Sequence, residues 1–183
     1  MTNRREFLGA GAALFASCLP GRAGGGPKQI LLMRHAEKSA NAKDPNLNAR
    51  GYARAAALAR LFPARFDTPD FLFATKASQR SNRPVETIAP LARALHLPID
   101  ARFADEKFAS LARDLSSHSR YSGKTVLVCW HHGNIPRLAA ALGVASPPST
   151  WPEAQFDRIW RIRYLDGGAT LEDLPQHLLD GDS

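Results

Sequence analysis

The chain has 183 residues and a mass of 20.0 kDa, enough for one domain with its own hydrophobic core but not for two independent domains. With 44% hydrophobic and 22% charged residues, the composition excludes a disordered or fibrous protein. The formal net charge of +7 predicts attraction to phosphates, nucleic acids or anionic surfaces, and two cysteines, Cys18 and Cys129, are too few for a disulfide framework.

The first 26 residues are predicted to be an export signal and linker, and residues 27–183 the folded domain. The run NRREFLG, which contains Arg4 and Arg5, resembles a twin-arginine signal, so the export machinery is an expected partner. The apolar stretch that follows has roughly a dozen residues, too few for a membrane-spanning helix of about 20. Residues 21–23 are a candidate cleavage site, but the segment ending at Cys18 also resembles a lipoprotein box. Release into the periplasm and a lipid anchor on Cys18 both stay open.

The domain itself alternates short apolar runs with longer helical stretches, a rhythm typical of an α/β layer fold. The predicted strands are, in chain order, residues 29–33, 71–75, 97–101, 125–130 and 159–164. The predicted helices are residues 49–62, 84–95, 106–117 and 135–142. Asn48 is a suitable N-cap for the first helix, and Pro84 suits the first turn of the second.

Basic and imidazole side chains follow three of these strands. Arg34 and His35 come directly after the first strand, and His131 and His132 directly after the fourth. Arg80 and Arg83 lie between the second strand and the helix that follows it. Because ligands of open α/β sheets gather at the carboxyl ends of the strands, we expect these groups to meet at one edge and to bind a phosphoryl group.

Four motifs, in order, resemble those of the histidine phosphatase superfamily, also called phosphoglycerate mutase-like. LLMRHAEK (31–38) matches the Arg-His-Gly or Arg-His-Ala motif, and LNARGYARA (47–55) approximates the LTxxGxxQA stretch. RPVET (83–87) matches RAxET, and HGN (132–134) matches the late histidine before glycine. The resemblance implies one α/β domain of three layers, with helices on both sides of a mostly parallel sheet.

The resemblance also assigns roles to individual residues. His35 would be the nucleophile that accepts the phosphoryl group, and Arg34, Arg83 and His132 would form the electrostatic pocket around it. A neutral imidazole suits this role when one ring nitrogen keeps its proton on a backbone acceptor and the other attacks. His131, which points away from His132 if the backbone is extended there, is expected to have a supporting role. Neither a cofactor nor a metal is implied.

The sequence departs from the family pattern in two places. The acid that protonates the leaving oxygen has no matched motif, and Glu106 and Asp105 are its best candidates. If Glu106 is remote from the pocket, we expect phosphoramidate or anhydride substrates, because these leaving groups need less protonation. Residues 76–80 replace a proline-containing segment and make Arg80 a candidate additional phosphate ligand.

The function that these residues predict is a phosphatase that acts on a phosphomonoester, phosphoramidate or anhydride through a phosphohistidine on His35. Its substrate would be a small phosphorylated metabolite or a phosphoprotein, with inorganic phosphate as product. A noncatalytic phosphate-binding envelope protein and a phosphomutase are the alternatives. Nucleic acid is not expected as a partner, because neither a stacking surface nor a recognition helix is evident.

Overall fold

The structure, a computed structural model, describes residues 26–165 and 168–182. Its centre is a six-stranded sheet with the order β3-β2-β4-β1-β5-β6. The strands are β1 (Gln29–Arg34), β2 (Phe71–Ala74), β3 (Ile99–Asp100), β4 (Thr125–Trp130), β5 (Arg158–Leu165) and β6 (Gly168–Pro175). The first four are parallel to one another, whereas β5 pairs antiparallel with β1 and with β6.

Helices cover both faces of this sheet. They are α1 (Ala49–Arg65), α2 (Arg83–Leu95), α3 (Phe108–Ser117) and α4 (Ile135–Ala141). One core packs α1 and α2 against alternate residues of the strands, among them Leu31, Leu127 and Cys129. The other core packs α3 and α4 against the intervening residues, among them Ile30 and Val128. This alternation of strand side chains between two buried faces produces the predicted single three-layer α/β domain.

The predicted elements are confirmed, with shifted ends, and one strand was missed. The third helix begins as a 3-10 turn, Asp105–Lys107, before α3, and the predicted strand 97–101 shortens to β3. Residues 168–175 were not expected to form a strand, because GATLEDLP has no apolar run. They form β6, an exposed edge strand whose side chains are at most partly buried and which is held by its hairpin with β5. No described helix is both long and apolar enough to cross a membrane.

The loop after β1 is fixed by close packing against α1. The Asn48 side chain accepts a hydrogen bond from the Gly51 backbone N–H at 2.9 Å and so caps the helix, as predicted. Gly51 lies directly against the backbone of Glu37, and a Cβ atom there would clash with the Glu37 carbonyl oxygen. Only glycine lets the helix approach this closely, so Gly51 sets the course of the chain just beyond Arg34 and His35.

A buried ion-pair network ties this loop to the end of the described chain. The Arg54 guanidinium, 2% exposed, lies 2.7 Å from a carboxylate oxygen of Glu37 and 2.7 Å from one of Asp182. Asp182 also accepts hydrogen bonds from the backbone N–H groups of Leu178 and Leu179, at 2.9 and 3.0 Å. Burial alone would favour the neutral acid and raise the pKa of Asp182. The hydrogen bonds outweigh burial and hold that pKa well below its usual range.

Candidate active site

The His35 side chain lies at the carboxyl end of β1 and is only 3% exposed. Its Nδ1 is 2.7 Å from the backbone carbonyl oxygen of Ala36. A carbonyl can only accept, so Nδ1 carries the proton of the neutral ring and Nε2 has the free lone pair. The backbone hydrogen bond therefore fixes both the tautomer and the orientation that a nucleophilic imidazole requires.

Several groups around His35 keep its ring neutral. Burial, assisted by His131, Arg34 and Arg83, lowers the pKa of the His35 ring to about 2, while the hydrogen bond to the Ala36 carbonyl opposes the shift. The His131 ring meets it edge-on with centroids 5.2 Å apart, and the Phe156 ring lies 6.3 Å away. At neutral pH His35 is consequently an uncharged base surrounded by positive charge.

Arg34, the last residue of β1, is fully buried and held by the loop before β5. Its Nη1 donates to the Glu153 carbonyl oxygen and, at 3.4 Å, to those of Pro152 and Gln155. The guanidinium carbon lies 3.9 Å above the Phe156 ring. Its Nε and Nη2 are buried without a hydrogen-bond partner among the described residues. Two donors thus remain for an anion, and burial lowers the pKa of Arg34 to about 10.

Arg83 begins α2 and faces the same region. Its Nη1 and Nη2 donate to the carbonyl oxygens of Asp44 and Arg80, at 3.3 and 3.4 Å, while its buried Nε has no partner within the described chain. Thr87 explains the spacing of the RPVET motif, because its hydroxyl donates to the Arg83 carbonyl at 2.7 Å and accepts from the Ala36 backbone N–H at 2.9 Å. Thr87 therefore joins the start of α2 to the residue that orients His35.

The two histidines after β4 have different surroundings. Burial, assisted by Arg83, His132 and Arg34, lowers the pKa of His131 to about 4, and its ring contacts His35. Burial and Arg34 also lower the pKa of the half-buried His132, and Glu153 opposes them. The sequence predicted that His132 lines the pocket and that His131 supports it; the structure brings His131 into direct ring contact with His35.

A polar cavity of about 580 Å³ opens beside His131 and Arg83. Glu106 and Asp105 are among its lining residues, so the predicted acids are not remote, and Lys76 and Arg80 line it too. Asp105 is partly buried; the Asn134 side-chain amide donates to its Oδ2 at 3.0 Å and the Trp130 indole N–H to its backbone oxygen at 3.2 Å. Burial raises the pKa of Asp105, whereas Glu106 is exposed.

Sequence reasoning missed the loop that holds Arg34. Backbone carbonyls make most of its contacts, and carbonyls are present in every residue, so no sequence signal marks them. Phe156 also contacts the Arg34 guanidinium, because the face of an aromatic ring attracts a cation. Cys129 agrees with its prediction: it is fully buried, and burial raises the pKa of its thiol.

A comparison with protein families matches residues 30–108 to the model of the histidine phosphatase superfamily, branch 1. This segment contains Arg34, His35, Arg83 and Glu106 and stops before the histidines that follow β4. No curated protein sequence matches the chain.

Solved structures of phosphatases share the fold. An alpha-ribazole-5'-P phosphatase from Escherichia coli K-12 aligns with a TM-score of 0.61 and 17% identity, covering 81% of this chain and 96% of that one. A phosphohistidine phosphatase SixA from Agrobacterium tumefaciens aligns with a TM-score of 0.52 and 22% identity, covering 81% and 98%. A mycobacterial glucosyl-3-phosphoglycerate phosphatase, solved with inorganic phosphate, aligns with a TM-score of 0.55 and 15% identity, covering 79% of this chain and 95% of that one. At these identities the likeness establishes the fold alone. Over residues 30–108 the chain is therefore similar to the histidine phosphatase superfamily, and it shares the fold of these solved phosphatases.

Proposed function

We propose that the protein hydrolyses an alkyl phosphomonoester through a phosphohistidine formed on Nε2 of His35. The observation that carries the proposal is the hydrogen bond from His35 Nδ1 to the Ala36 carbonyl, which leaves Nε2 as a neutral nucleophile. The unpartnered guanidinium nitrogens of Arg34 and Arg83 supply positive donors in the same region. This combination suits attack on phosphorus better than it suits simple storage of an anion.

In the first half-reaction the Nε2 lone pair attacks phosphorus and the bond from phosphorus to the ester oxygen breaks. Arg34 and Arg83 bind the equatorial oxygens, over which the negative charge of the transition state is spread. In the second half-reaction water attacks the phosphohistidine, inorganic phosphate leaves, and the electron pair returns to Nε2. The proton stays on Nδ1 throughout, hydrogen-bonded to the Ala36 carbonyl, because a backbone carbonyl is too weak a base to remove it.

Departure of an alkoxide requires a proton, and we assign its donation to Asp105. Both candidate acids line the cavity beside His131, but Glu106 is exposed, whereas Asp105 is partly buried and burial raises its pKa above the ordinary value. Its Oδ2 is fixed by Asn134, and its Oδ1 is buried and unpartnered in the described chain. A fixed acid with a raised pKa keeps its proton nearer neutral pH, which is what a general acid requires. In the second half-reaction the same carboxylate would take a proton from the attacking water.

The decisive test replaces the nucleophile and traps the intermediate. His35→Asn should abolish phosphate release from 4-nitrophenyl phosphate, whereas His96→Asn, an exposed histidine at the end of α2, should retain it. Wild-type protein quenched in alkali after mixing with ³²P-labelled substrate should carry an acid-labile label that is missing from His35→Asn. Normal turnover by His35→Asn would refute the proposal.

Two alternatives make different predictions in the same assays. A noncatalytic phosphate-binding protein would bind phosphate tightly and release none from any ester over hours. A phosphomutase would transfer the labelled phosphoryl group to an added alcohol faster than to water. The acids on the cavity wall favour hydrolysis of an ester over simple binding, since binding of an anion gains nothing from them.

We also propose that the enzyme acts outside the inner membrane, on the basis of the paired Arg4 and Arg5, which lie outside the described residues. Replacing both arginines by lysine should keep the protein in the cytoplasmic fraction. Labelling with a radioactive fatty acid, with Cys18→Ser as the control, should decide between the lipid-anchored and released forms. Unchanged fractionation of the double lysine variant would argue against twin-arginine export.

A further inference from the structure

The carbonyl that orients His35 belongs to the peptide group joining Ala36 to Glu37, so its direction depends on how both of these residues are held. Thr87 holds the first of them through the Ala36 backbone N–H. The side chain of Glu37, 10% exposed, accepts hydrogen bonds from Arg54 Nε at 3.1 Å and from Arg54 Nη2 at 2.7 Å. The nucleophile is therefore tied to α1 through one buried carboxylate.

Arg54 needs a second acceptor besides Glu37, because its guanidinium is buried and each of its N–H groups requires a partner. Two of its five donors are taken by the Asp182 carboxylate, from Nη1 at 2.8 Å and from Nη2 at 2.7 Å. A carboxylate on each side of the guanidinium fixes the plane of that group as well as its position. Loss of the Asp182 carboxylate would leave two buried donors unpaired and would free Arg54 to turn away from Glu37.

Asp182 lies in a segment that is anchored to the sheet and to α1. The side chain of Gln176, which is fully buried, donates to the carbonyl oxygens of Phe156 and Arg158, at 3.3 and 3.1 Å. Arg65, at the end of α1, donates to the Gln176 carbonyl oxygen at 2.8 Å. Asp182 is therefore held in place by contacts of its own segment.

We propose that Asp182 is a positioning residue for the nucleophile His35. It acts through the ion pairs of Arg54 and Glu37, which hold the Ala36 carbonyl in place. That carbonyl in turn keeps the ring proton on Nδ1 and directs Nε2 towards phosphorus, a use of Nε2 for which the inference rests on the proposed function. Displacement of a reacting group by about 1 Å costs on the order of 10²-fold in rate, so a small shift of this carbonyl is sufficient.

The first measurement is kinetic. Asp182→Ala should lower kcat/KM for 4-nitrophenyl phosphate by about tenfold or more, because the nucleophile loses its alignment. The inhibition constant of inorganic phosphate should change by less than about threefold, since Arg34 and Arg83 still bind the anion. Asp182→Asn, which keeps the size of the side chain but carries no charge, should show a loss in the same direction. It supplies the result if the alanine variant does not fold.

A cavity of about 650 Å³ lined by Arg54 and Asp182, among other residues, allows a rescue experiment. Formate can enter the place that the missing carboxylate leaves, and it should raise the activity of Asp182→Ala but not that of the wild type. Asp70→Ala is the matched control and should keep wild-type activity. Asp70 also accepts from a backbone N–H, that of Thr125 at 2.9 Å, and from Lys124 at 3.0 Å, but at the opposite end of the sheet.

The second measurement needs no turnover. The ¹⁵N resonances of a neutral imidazole distinguish the protonated nitrogen from the bare one, and the His35 signals are assigned by their absence from His35→Asn. Wild-type protein should show one tautomer, with the proton on Nδ1, and Asp182→Ala should show a mixture of both. A general loss of stability would not change this ratio in the folded protein.

Three results would overturn the inference: wild-type kcat/KM in both Asp182 variants, a loss of activity no larger than that of Asp70→Ala, or an unchanged His35 tautomer in both Asp182 variants. The outcome stays separate from that of the proposed function. Wild-type protein that releases no phosphate from 4-nitrophenyl phosphate would contradict the phosphatase proposal, while the tautomer of His35 would still decide whether Asp182 positions the ring.

Discussion

At the scale of single residues, the adjacent carboxyl groups of Asp105 and Glu106 differ in burial, and enzyme kinetics can detect the difference. Asp105 is partly buried and fixed by Asn134, while Glu106 is exposed on the same cavity. A general acid contributes typically 10²- to 10⁴-fold, and it contributes most when the leaving group is a poor one. The two residues can therefore be distinguished by measuring the amide variant of each on one substrate with a poor leaving group and one with a good leaving group.

Asp105→Asn should lower kcat/KM for an alkyl phosphate by on the order of 10²-fold or more, and lower it much less for 4-nitrophenyl phosphate. Asparagine has nearly the same shape and can still accept the hydrogen bond from Asn134. Glu106→Gln is the matched control, with an expected loss of less than about threefold, below the contribution of a general acid. If only Glu106→Gln shows the leaving-group dependence, the acid is Glu106; equal losses with both substrates would mean that neither variant removes the proton donor.

The residues supplied by strand ends were predictable from sequence, and those supplied by loops were not. Arg34 and His35 had to lie at the carboxyl edge because they end a buried strand. The course of residues 152–156 over Arg34 depends on loop conformation, which local sequence does not determine. His131 was predicted to have a supporting role on the premise of an extended chain; the chain instead turns after Trp130, and the His131 ring contacts His35.

At the scale of elements, the close contact between α1 and the loop after β1 depends on a glycine, Gly51, which has no side chain. Gly51→Ala should destabilise the fold by roughly 1 to 3 kcal/mol, because the new methyl group would be driven into the Glu37 backbone. Urea denaturation followed by circular dichroism measures this change. Gly133→Ala is the control, because a Cβ atom there meets no atom within 4 Å. Equal urea midpoints for the two variants would show that the loop after β1 can move away from a Cβ atom at position 51 without loss of stability.

The elements that were predicted are those with two buried faces or one strong apolar stripe. β1 and β4 are buried along their whole length, so their apolar runs identify them. β6 has no such run, and pairing with β5 alone makes it a strand. Tertiary pairing of this kind leaves little trace in local sequence.

At the scale of the whole molecule, the site histidines should make stability depend on pH. Folding lowers the pKa of His35 to about 2 and that of His131 to about 4, so the unfolded chain binds more protons below pH 6.5. The free energy of unfolding should therefore fall as the pH is lowered from about 6.5 towards 4.5, by up to about 2 kcal/mol for His35 at pH 5. The raised pKa of Asp105 opposes this trend.

Urea midpoints measured from pH 7 to pH 4.5 provide the check, with His131→Asn as the comparison. This variant should lose less stability over that range than the wild type, because it removes one of the two histidines that must be buried uncharged. Asp182 does not interfere, since its stabilising effect is lost only below the ordinary carboxyl range. Parallel curves for the two proteins would contradict the expectation.

Cys129 offers a chemical probe of local unfolding in this protein. The thiol is fully enclosed at the centre of the sheet, between α1 and α2 and close to Thr87, and it is the only cysteine of the described residues. In a Cys18→Ser background, an alkylating reagent could reach sulfur only when the helices separate from β4. The labelling rate would then measure how often the native structure opens around Cys129. A ligand that stabilises the closed site should lower this rate.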